Sequence, residues 1–90
     1  MIFLFEVIAA SRARKSANKL PEDYRRRIVE FLLILRENPV PAEYYDVKKL
    51  KGCTDTYRAR IGDLRVIYEV LWDVKRVHVL VIEHRERAYS

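Results

Sequence analysis

The sequence predicts an α+β fold, a two-layer sandwich in which two helices pack on one face of a mainly antiparallel sheet. Two stretches with helical spacing of apolar residues lie within the first 37 residues. Three stretches rich in β-branched residues, separated by turn residues, follow residue 55. An apolar segment that precedes the helices adds a first strand. The predicted element order is therefore β-α-α-β-β-β, in a single domain spanning residues 1–90.

The composition is that of a folded protein with a basic C-terminal half. Of the 90 residues, 50% are hydrophobic and 34% are charged, which excludes a disordered chain. The net charge is +5 and is unevenly spread: residues 1–47 carry eight basic and seven acidic groups, and residues 48–90 carry ten and six. Such a distribution favours a polyanionic partner, most often nucleic acid. A soluble protein that is merely cationic is the alternative.

The first strand is predicted at residues 2–8, in the apolar segment MIFLFEVIAA. Glu6 interrupts this segment and no basic residue precedes it, so we expect neither a signal peptide nor a membrane helix. Cys53 is the single cysteine, which excludes an intrachain disulfide and a cysteine-based metal cluster. These features fit a reducing compartment, and we expect a cytoplasmic protein.

Two helices are predicted next. The first covers residues 9–19, with small apolar residues on one face. The second starts at Pro21, which suits a first helical position, and runs to about Glu37, before Asn38-Pro39. Its main apolar stripe consists of Tyr24, Ile28, Phe31, Leu32 and Leu35. Val29 and Leu33 form a second stripe, which fits either deep packing on the sheet or a docking surface for a partner protein.

Residues 39–52 are predicted to be an irregular connection, followed by three strands at about Thr56–Ile61, at Leu64–Trp72 and at residues 77–84. Gly62-Asp63 between the first two strands predicts a two-residue type II′ hairpin turn, since glycine is preferred at its first position. This turn sets the register of the two strands.

The predicted register places Arg60 directly opposite Arg65, with Arg58 two residues away on the same face. The other face of the hairpin is apolar and should meet the helices. A like-charge cross-strand pair costs about 0.2–1 kcal/mol, and no acidic residue of the hairpin lies beside the arginines on that face before Glu69. The arrangement suggests a phosphate site, because guanidinium groups bind phosphate oxygens in pairs. A solvated basic face is the alternative.

The order of the motifs resembles a known family along the whole chain. In the segment KLKGCTDTYRARIGDLRVIYEV, a K-L-x-G motif leads into Y-R-x-R, a G-D-x-R turn and V-I-Y, and the C-terminus carries R-x-R-x-Y. This pattern resembles the RelE/ParE superfamily of toxins from toxin–antitoxin systems, specifically its RelE-like branch. The resemblance implies the RelE-like microbial RNase fold. It also implies an mRNA interferase, a ribosome-dependent endoribonuclease that cuts mRNA in the A site. Such enzymes use the 2′-hydroxyl as internal nucleophile and need no metal or other cofactor.

The resemblance also implies site residues. Arg58 and Arg60 match the basic pair of the first hairpin strand, Arg65 matches the arginine after the turn, and Arg85 matches the arginine after the last strand. We expect Arg65 to stabilise the phosphate and Arg85 to act on the phosphate or the leaving group. Arginine stays protonated and is a poor base, so the general base is open, with His84 and Tyr89 as candidates. The residues expected to contact RNA are Lys48, Lys49, Lys51 and Arg87.

The implied partners are mRNA, the ribosome and a RelB-like antitoxin that wraps the toxin in a higher-order hetero-oligomer, with no membrane association. Val29 and Leu33 are the expected antitoxin-docking residues. Two other functions stay open. The first is a ParE-type toxin that poisons DNA gyrase. The second is an RNA- or ribosome-binding module without catalysis. Several members of the family carry lysines where this chain has Arg58 and Arg60, and that change keeps the charge but removes bases.

Overall fold

The structure, a computed structural model, describes residues 4–50, 52 and 55–84 of the chain. Two helices cover one face of a five-stranded sheet, so the predicted α+β sandwich is confirmed. The elements in chain order are β1 (Glu6–Ala9), α1 (Ser11–Asn18), α2 (Glu22–Glu37), β2 (Asp46–Lys49), β3 (Thr56–Ile61), β4 (Leu64–Leu71) and β5 (Arg76–His84).

The strands lie in the order β1-β5-β4-β3-β2. β1 runs parallel to β5, and the other neighbouring strands are antiparallel, which makes the sheet mainly antiparallel as predicted. β3, β4 and β5 therefore occupy its middle, flanked by the short edge strands β1 and β2. In the part of the chain that the structure describes, neither helix has the length and apolar character needed to cross a bilayer.

The connection predicted to be irregular contains a strand, β2, so that part of the prediction is wrong. Asp46–Lys49 pairs with β3, with Val47 opposite Ala59. Val47 packs against the core and its two neighbours are exposed. Aspartate and lysine are rare in strands, so the sequence of β2 does not indicate a strand. Lysines do, however, suit an edge strand, because their charge opposes pairing with another chain.

The other boundaries differ from the prediction by smaller amounts. β1 runs from Glu6 to Ala9 instead of residues 2–8, with residues 1–3 outside the described part. The Phe5 backbone N–H donates to the Arg36 carbonyl at 2.7 Å, so the chain before β1 is tied to the end of α2. The first helix is shorter than the predicted 9–19, and every other predicted end lies within one residue of the observed one.

The core lies between the helices and the inner face of the sheet. Ala13 is fully buried in α1, and Ile28, Phe31 and Leu35 are nearly or fully buried in α2, as the predicted stripes require. The strand residues with at most 1% exposure that face them are Ala59, Leu64, Val66, Tyr68, Val70, Val77 and Val79. Both helices thus occupy one face, and the opposite face of the sheet carries the charged side chains described below.

Tyr68 connects the core to the segment that leads into β2. Its hydroxyl donates a hydrogen bond to the Pro39 carbonyl at 2.8 Å. Burial, and to a smaller extent the neighbouring Tyr57, raises the pKa of Tyr68 above its ordinary value. Phe31 of α2 meets Tyr45 edge to face, with ring centroids 4.9 Å apart. These contacts hold residues 39–45 on the core and so fix where β2 begins.

Candidate active site

The β3–β4 hairpin has the predicted register. Ile61 pairs with Leu64, Arg60 with Arg65 and Arg58 with Ile67. Gly62 has a φ of +60°, whereas Asp63 is not among the described residues with positive φ, as a type II′ turn requires. Arg58, Arg60 and Arg65 therefore share the face of the sheet opposite the helices. We call this surface the arginine face.

The two central arginines belong to a row of four charged residues that crosses four strands. Asp46 of β2 pairs with Arg60, Arg60 with Arg65, and Arg65 with Glu83 of β5. Side chains that face each other across neighbouring strands lie on the same side of a sheet. The row therefore reads carboxylate, guanidinium, guanidinium, carboxylate, and its formal charge is zero. The hairpin alone predicts unrelieved repulsion between the arginines, but the strands on either side supply two counterions.

The ion pairs of the arginine face are loose. Arg58 Nη2 lies 3.8 Å from Asp46 Oδ1, and Arg65 Nε lies 3.7 Å from Glu83 Oε2. Both distances exceed the 2.7–3.2 Å of a hydrogen bond between nitrogen and oxygen. The Arg65–Glu83 pair is exposed at both ends, and exposed pairs contribute at most about 1 kcal/mol. The carboxylates thus offset the arginine charge without locking the Arg65 guanidinium, which stays available to a phosphate.

The three arginines differ in accessibility. The Arg58 side chain is only 19% exposed, whereas that of Arg65 is 42% exposed and Arg60 also lies open to solvent. The buried Nε of Arg58 makes no hydrogen bond within the described residues. Arg58 is therefore held in place by the sheet, with the Asp46 carboxylate as its contacting counterion, while Arg60 and Arg65 present their head groups outward.

A bulge in β5 decides which C-terminal side chains reach the arginine face. Ile67 pairs with Val81 but Tyr68 pairs with Val79, so Leu80 is an extra residue in β5. The extra residue inverts the alternation beyond it. Val77 and Val79 point into the core, and after the bulge Ile82 does so as well, which leaves Glu83 on the arginine face.

His84, a predicted candidate base, lies on the other face. It pairs with Leu64, whose side chain is buried in the core. Its ring meets Tyr24 of α2 edge to face, with centroids 4.9 Å apart. The structure therefore does not bring His84 together with the arginines.

The remaining predicted RNA-contacting and catalytic residues fall into two groups. Lys48 and Lys49 are exposed on the edge strand β2, and Lys48 pairs with Arg58, which places it on the arginine face. Lys51, Arg85, Arg87 and Tyr89 lie outside the described residues. Their predicted roles remain predictions.

The predicted antitoxin-docking residues lie on the exposed side of α2. Val29 and Leu33 are 54% and 53% exposed, so they do not pack on the sheet. Leu33 also lines a shallow groove of about 280 Å³, together with Leu4 and Ile34. This apolar stripe belongs to the helix layer, on the side of the molecule away from the arginine face.

Sequence reasoning missed Asp46 and Glu83 as members of the site. Asp46 was hidden because β2 looks like a loop. Glu83 was hidden because strict alternation from the buried Val77 and Val79 would place it inside and His84 outside. The signal for the bulge is weak. After Leu80 the apolar pair Val81-Ile82 breaks simple alternation, but nothing in these residues says which of the two is buried.

The chain matches a family model described as the ParE toxin of the type II toxin–antitoxin system parDE, over residues 7–89. It is 40% identical over 86 residues to a protein of Methanocaldococcus jannaschii that is named as toxin RelE1, a match that covers 96% of both chains.

Solved structures support the same assignment. An archaeal RelE–RelB complex from Pyrococcus horikoshii OT3 contains a chain that is 42% identical, with a TM-score of 0.84, covering 93% of this chain and 98% of that one. The toxin–antitoxin complex RelBE2 of Mycobacterium tuberculosis contains a chain that is 27% identical, with a TM-score of 0.76. The match covers 91% of this chain and 99% of that one. The family model and these relatives differ in the branch they name but agree on the superfamily. The chain belongs to the RelE/ParE superfamily, the toxins of type II toxin–antitoxin systems.

Proposed function

We propose that this toxin is a ribosome-dependent mRNA interferase, which cleaves mRNA in the A site by attack of the 2′-hydroxyl on the neighbouring phosphate, without a metal ion. The observation that carries the proposal is the pair Arg60–Arg65, fixed side by side by the hairpin register on an open sheet face. Two guanidinium groups on directly paired residues suit the oxygens of one phosphate, whose negative charge grows in the transition state.

The arginine face supplies charge stabilisation but not the whole of catalysis. Both helices lie on the other side of the sheet, so a flexible RNA strand would gain little orientation from this surface alone. The ribosome holds the mRNA codon in a defined conformation in its A site, which would provide the positioning that attack by the 2′-hydroxyl requires. In this arrangement Arg65 binds the scissile phosphate. Lys48 and Arg58, whose side chain is mostly buried, add positive charge beside it. The toxin would act in the cytoplasm.

We also propose a RelB-like antitoxin as partner. The relative of known structure from Pyrococcus horikoshii was solved as a complex with RelB. The exposed stripe of Val29 and Leu33 suits an apolar helix face of such a chain. An antitoxin that is more acidic than the toxin would also complement the net charge of +5.

The test is primer extension on mRNA in a programmed ribosome, with purified toxin freed of antitoxin. We expect cuts within the A-site codon from the wild type and none from Arg65→Ala. Arg26→Ala is the matched control, because Arg26 is also an arginine in a loose ion pair, at 3.8 Å from Glu22, but lies on α2. Cleavage by Arg65→Ala at the rate of Arg26→Ala would refute the assignment.

Inhibition of DNA gyrase is the second candidate, because the matching family model carries the ParE description. The arginine face distinguishes the two, since a gyrase inhibitor has no need of a phosphate site on the open sheet. Incubating the toxin with gyrase and supercoiled DNA tests this candidate. Double-strand breaks that depend on the toxin, with intact ribosomal mRNA, would favour it. Ribosome binding without cleavage of either substrate would favour a non-catalytic binding module.

A further inference from the structure

Glu83 is a charged side chain on the arginine face to which the proposed reaction has assigned no role. It lies directly opposite Arg65 in the β4–β5 ladder, with Oε2 at 3.7 Å from Arg65 Nε. Its side chain is 40% exposed, so RNA bound at the arginines would lie within its reach. The bulge at Leu80 is what brings it to this face. The backbone register therefore places Glu83 on the arginine face, beside Arg65.

The proposed cleavage needs a group that accepts the proton of the 2′-hydroxyl. Arginine cannot do so, because its guanidinium does not lose a proton in proteins. His84 lies on the helix face against Tyr24. Tyr89, the other predicted candidate, lies outside the described residues. Among the described residues the arginine face carries Lys48 and carboxylates, and of these two side-chain types the carboxylate is ordinarily unprotonated near neutral pH.

Three carboxylates lie on this face among the described strand residues nearest the arginines, and they are not equivalent. Asp46 contacts Arg58, whose side chain is only 19% exposed, so it serves as the counterion of a mostly buried cation. Glu69 pairs with His78 at 3.9 Å and is four residues from Arg65 along β4, which is about 13 Å at the usual strand rise. Glu83 alone combines solvent exposure with direct contact to the more exposed Arg65.

We propose that Glu83 is the general base of the cleavage reaction, a proposal that rests on the proposed function. The Glu83 carboxylate takes the proton of the 2′-hydroxyl, and the 2′-oxygen then forms a bond to the adjacent phosphorus. The bond between phosphorus and the 5′-oxygen breaks, and the 5′-oxygen leaves with the electron pair and takes a proton from water. The products are a 2′,3′-cyclic phosphate and a 5′-hydroxyl. Arg65 binds the phosphate while Glu83, which pairs with it on β5, accepts the proton.

The charged groups that face Glu83 in the described part of the chain are few. β4 contributes Arg65, and β3 contributes Arg60 beyond it in the same row. β1 pairs with residues 76–79 of β5 and does not reach it. The 3.7 Å gap to Arg65 is longer than a hydrogen bond, so the guanidinium does not occupy the lone pairs of the carboxylate. The carboxylate oxygens of Glu83 are thus open to a hydrogen bond from a 2′-hydroxyl while Arg65 turns to the phosphate.

The test compares Glu83→Gln with Glu69→Gln in single-turnover cleavage on programmed ribosomes, with ribosome binding measured separately. The two substitutions are matched: both remove one carboxylate from the same sheet face, with side-chain exposures of 40% and 39%, and each carboxylate contacts one basic group. We expect Glu83→Gln to slow cleavage by about 100-fold or more, as loss of a general base does, and to bind ribosomes as the wild type does. Glu69→Gln should cleave normally. Equal cleavage by the two variants would overturn the proposal.

A second variant separates a base from a counterion. In model peptides imidazole titrates about two pH units above a glutamate carboxylate. Glu83→His should therefore restore part of the activity lost in Glu83→Gln, with a rate that falls as the pH drops from about 7.5 to 6. If the Glu83→Gln variant cleaved as well as the wild type or faster, Glu83 would be only a counterion that competes with RNA for Arg65. Absence of cleavage by the wild type would instead overturn the proposed function, and this inference with it.

Discussion

The β3–β4 turn offers a direct test of how the arginine pair is held. Gly62 has a φ of +60°, which side chains other than glycine rarely adopt, and a Cβ built there would lie 3.2 Å from Arg27 Nη1. Gly62→Ala therefore introduces backbone strain and a close contact at once. Since this turn sets the register that places Arg60 opposite Arg65, the substitution reports on the stability of the site's scaffold.

The backbone strain should dominate the effect. A left-handed conformation costs an ordinary residue about 1–2 kcal/mol. The contact costs much less, because Nη1 is the far end of a flexible arginine side chain that can move by a few tenths of an ångström. We thus expect Gly62→Ala to lower the free energy of unfolding by about 1–2 kcal/mol, which corresponds to a decrease in Tm of roughly 5–15 °C for a domain of this size.

Urea denaturation of four variants separates the strain from the contact: Gly62→Ala, Gly52→Ala, Arg27→Ala and the double variant of Gly62→Ala with Arg27→Ala. Gly52→Ala is the matched control, since Gly52 also has a positive φ, of +81°, but no atom lies within 4 Å of its built Cβ. Adding Arg27→Ala to Gly62→Ala removes the contact. After the effect of Arg27→Ala alone is subtracted, the double variant should recover less than about 0.5 kcal/mol of the lost free energy of unfolding. The argument for a strained turn is refuted if Gly62→Ala unfolds at the wild-type urea concentration. Full recovery by the double substitution would assign the effect to the contact.

Two further predictions concern the core and the partner surface. Tyr68→Phe should destabilise the protein by about 1–2 kcal/mol in urea denaturation at pH 8, because the Pro39 carbonyl loses its donor. Burial raises the pKa of Tyr68 above its ordinary value of 10.0, so the stability linked to its protonated form is complete below pH 10 and is lost as the pH rises further. The difference between the two proteins should then shrink at alkaline pH, and a constant difference would contradict this. Leu33→Glu should abolish co-purification with the RelB-like antitoxin and spare mRNA cleavage. Val74→Glu, at an equally exposed residue of the β4–β5 turn, should retain binding, and equal binding by both would exclude the α2 stripe.

The parts of the molecule that could be predicted from sequence are those in which local chemistry and tertiary structure agree. Gly62-Asp63 determines a turn, the turn determines a register, and alternation then places Arg60 and Arg65 on one face without knowledge of any other element. The apolar stripe of α2 likewise follows from its spacing. In both cases the residues that decide the structure are neighbours in the chain, so short-range rules suffice.

The acidic half of the site depends on long-range structure instead. Asp46 reaches the arginines only because Tyr68 and Phe31 hold residues 39–45 against the core, which lets a strand of weak propensity pair with β3. Glu83 reaches them only because Leu80 bulges, and that bulge reverses the faces of Glu83 and His84. A single extra residue in one strand thus decides whether a carboxylate or an imidazole stands beside Arg65. For the chemistry of this surface the difference is large, since the imidazole is packed against Tyr24 while the carboxylate faces solvent. The register of β5, more than the identity of its residues, decides which group can act as a base there.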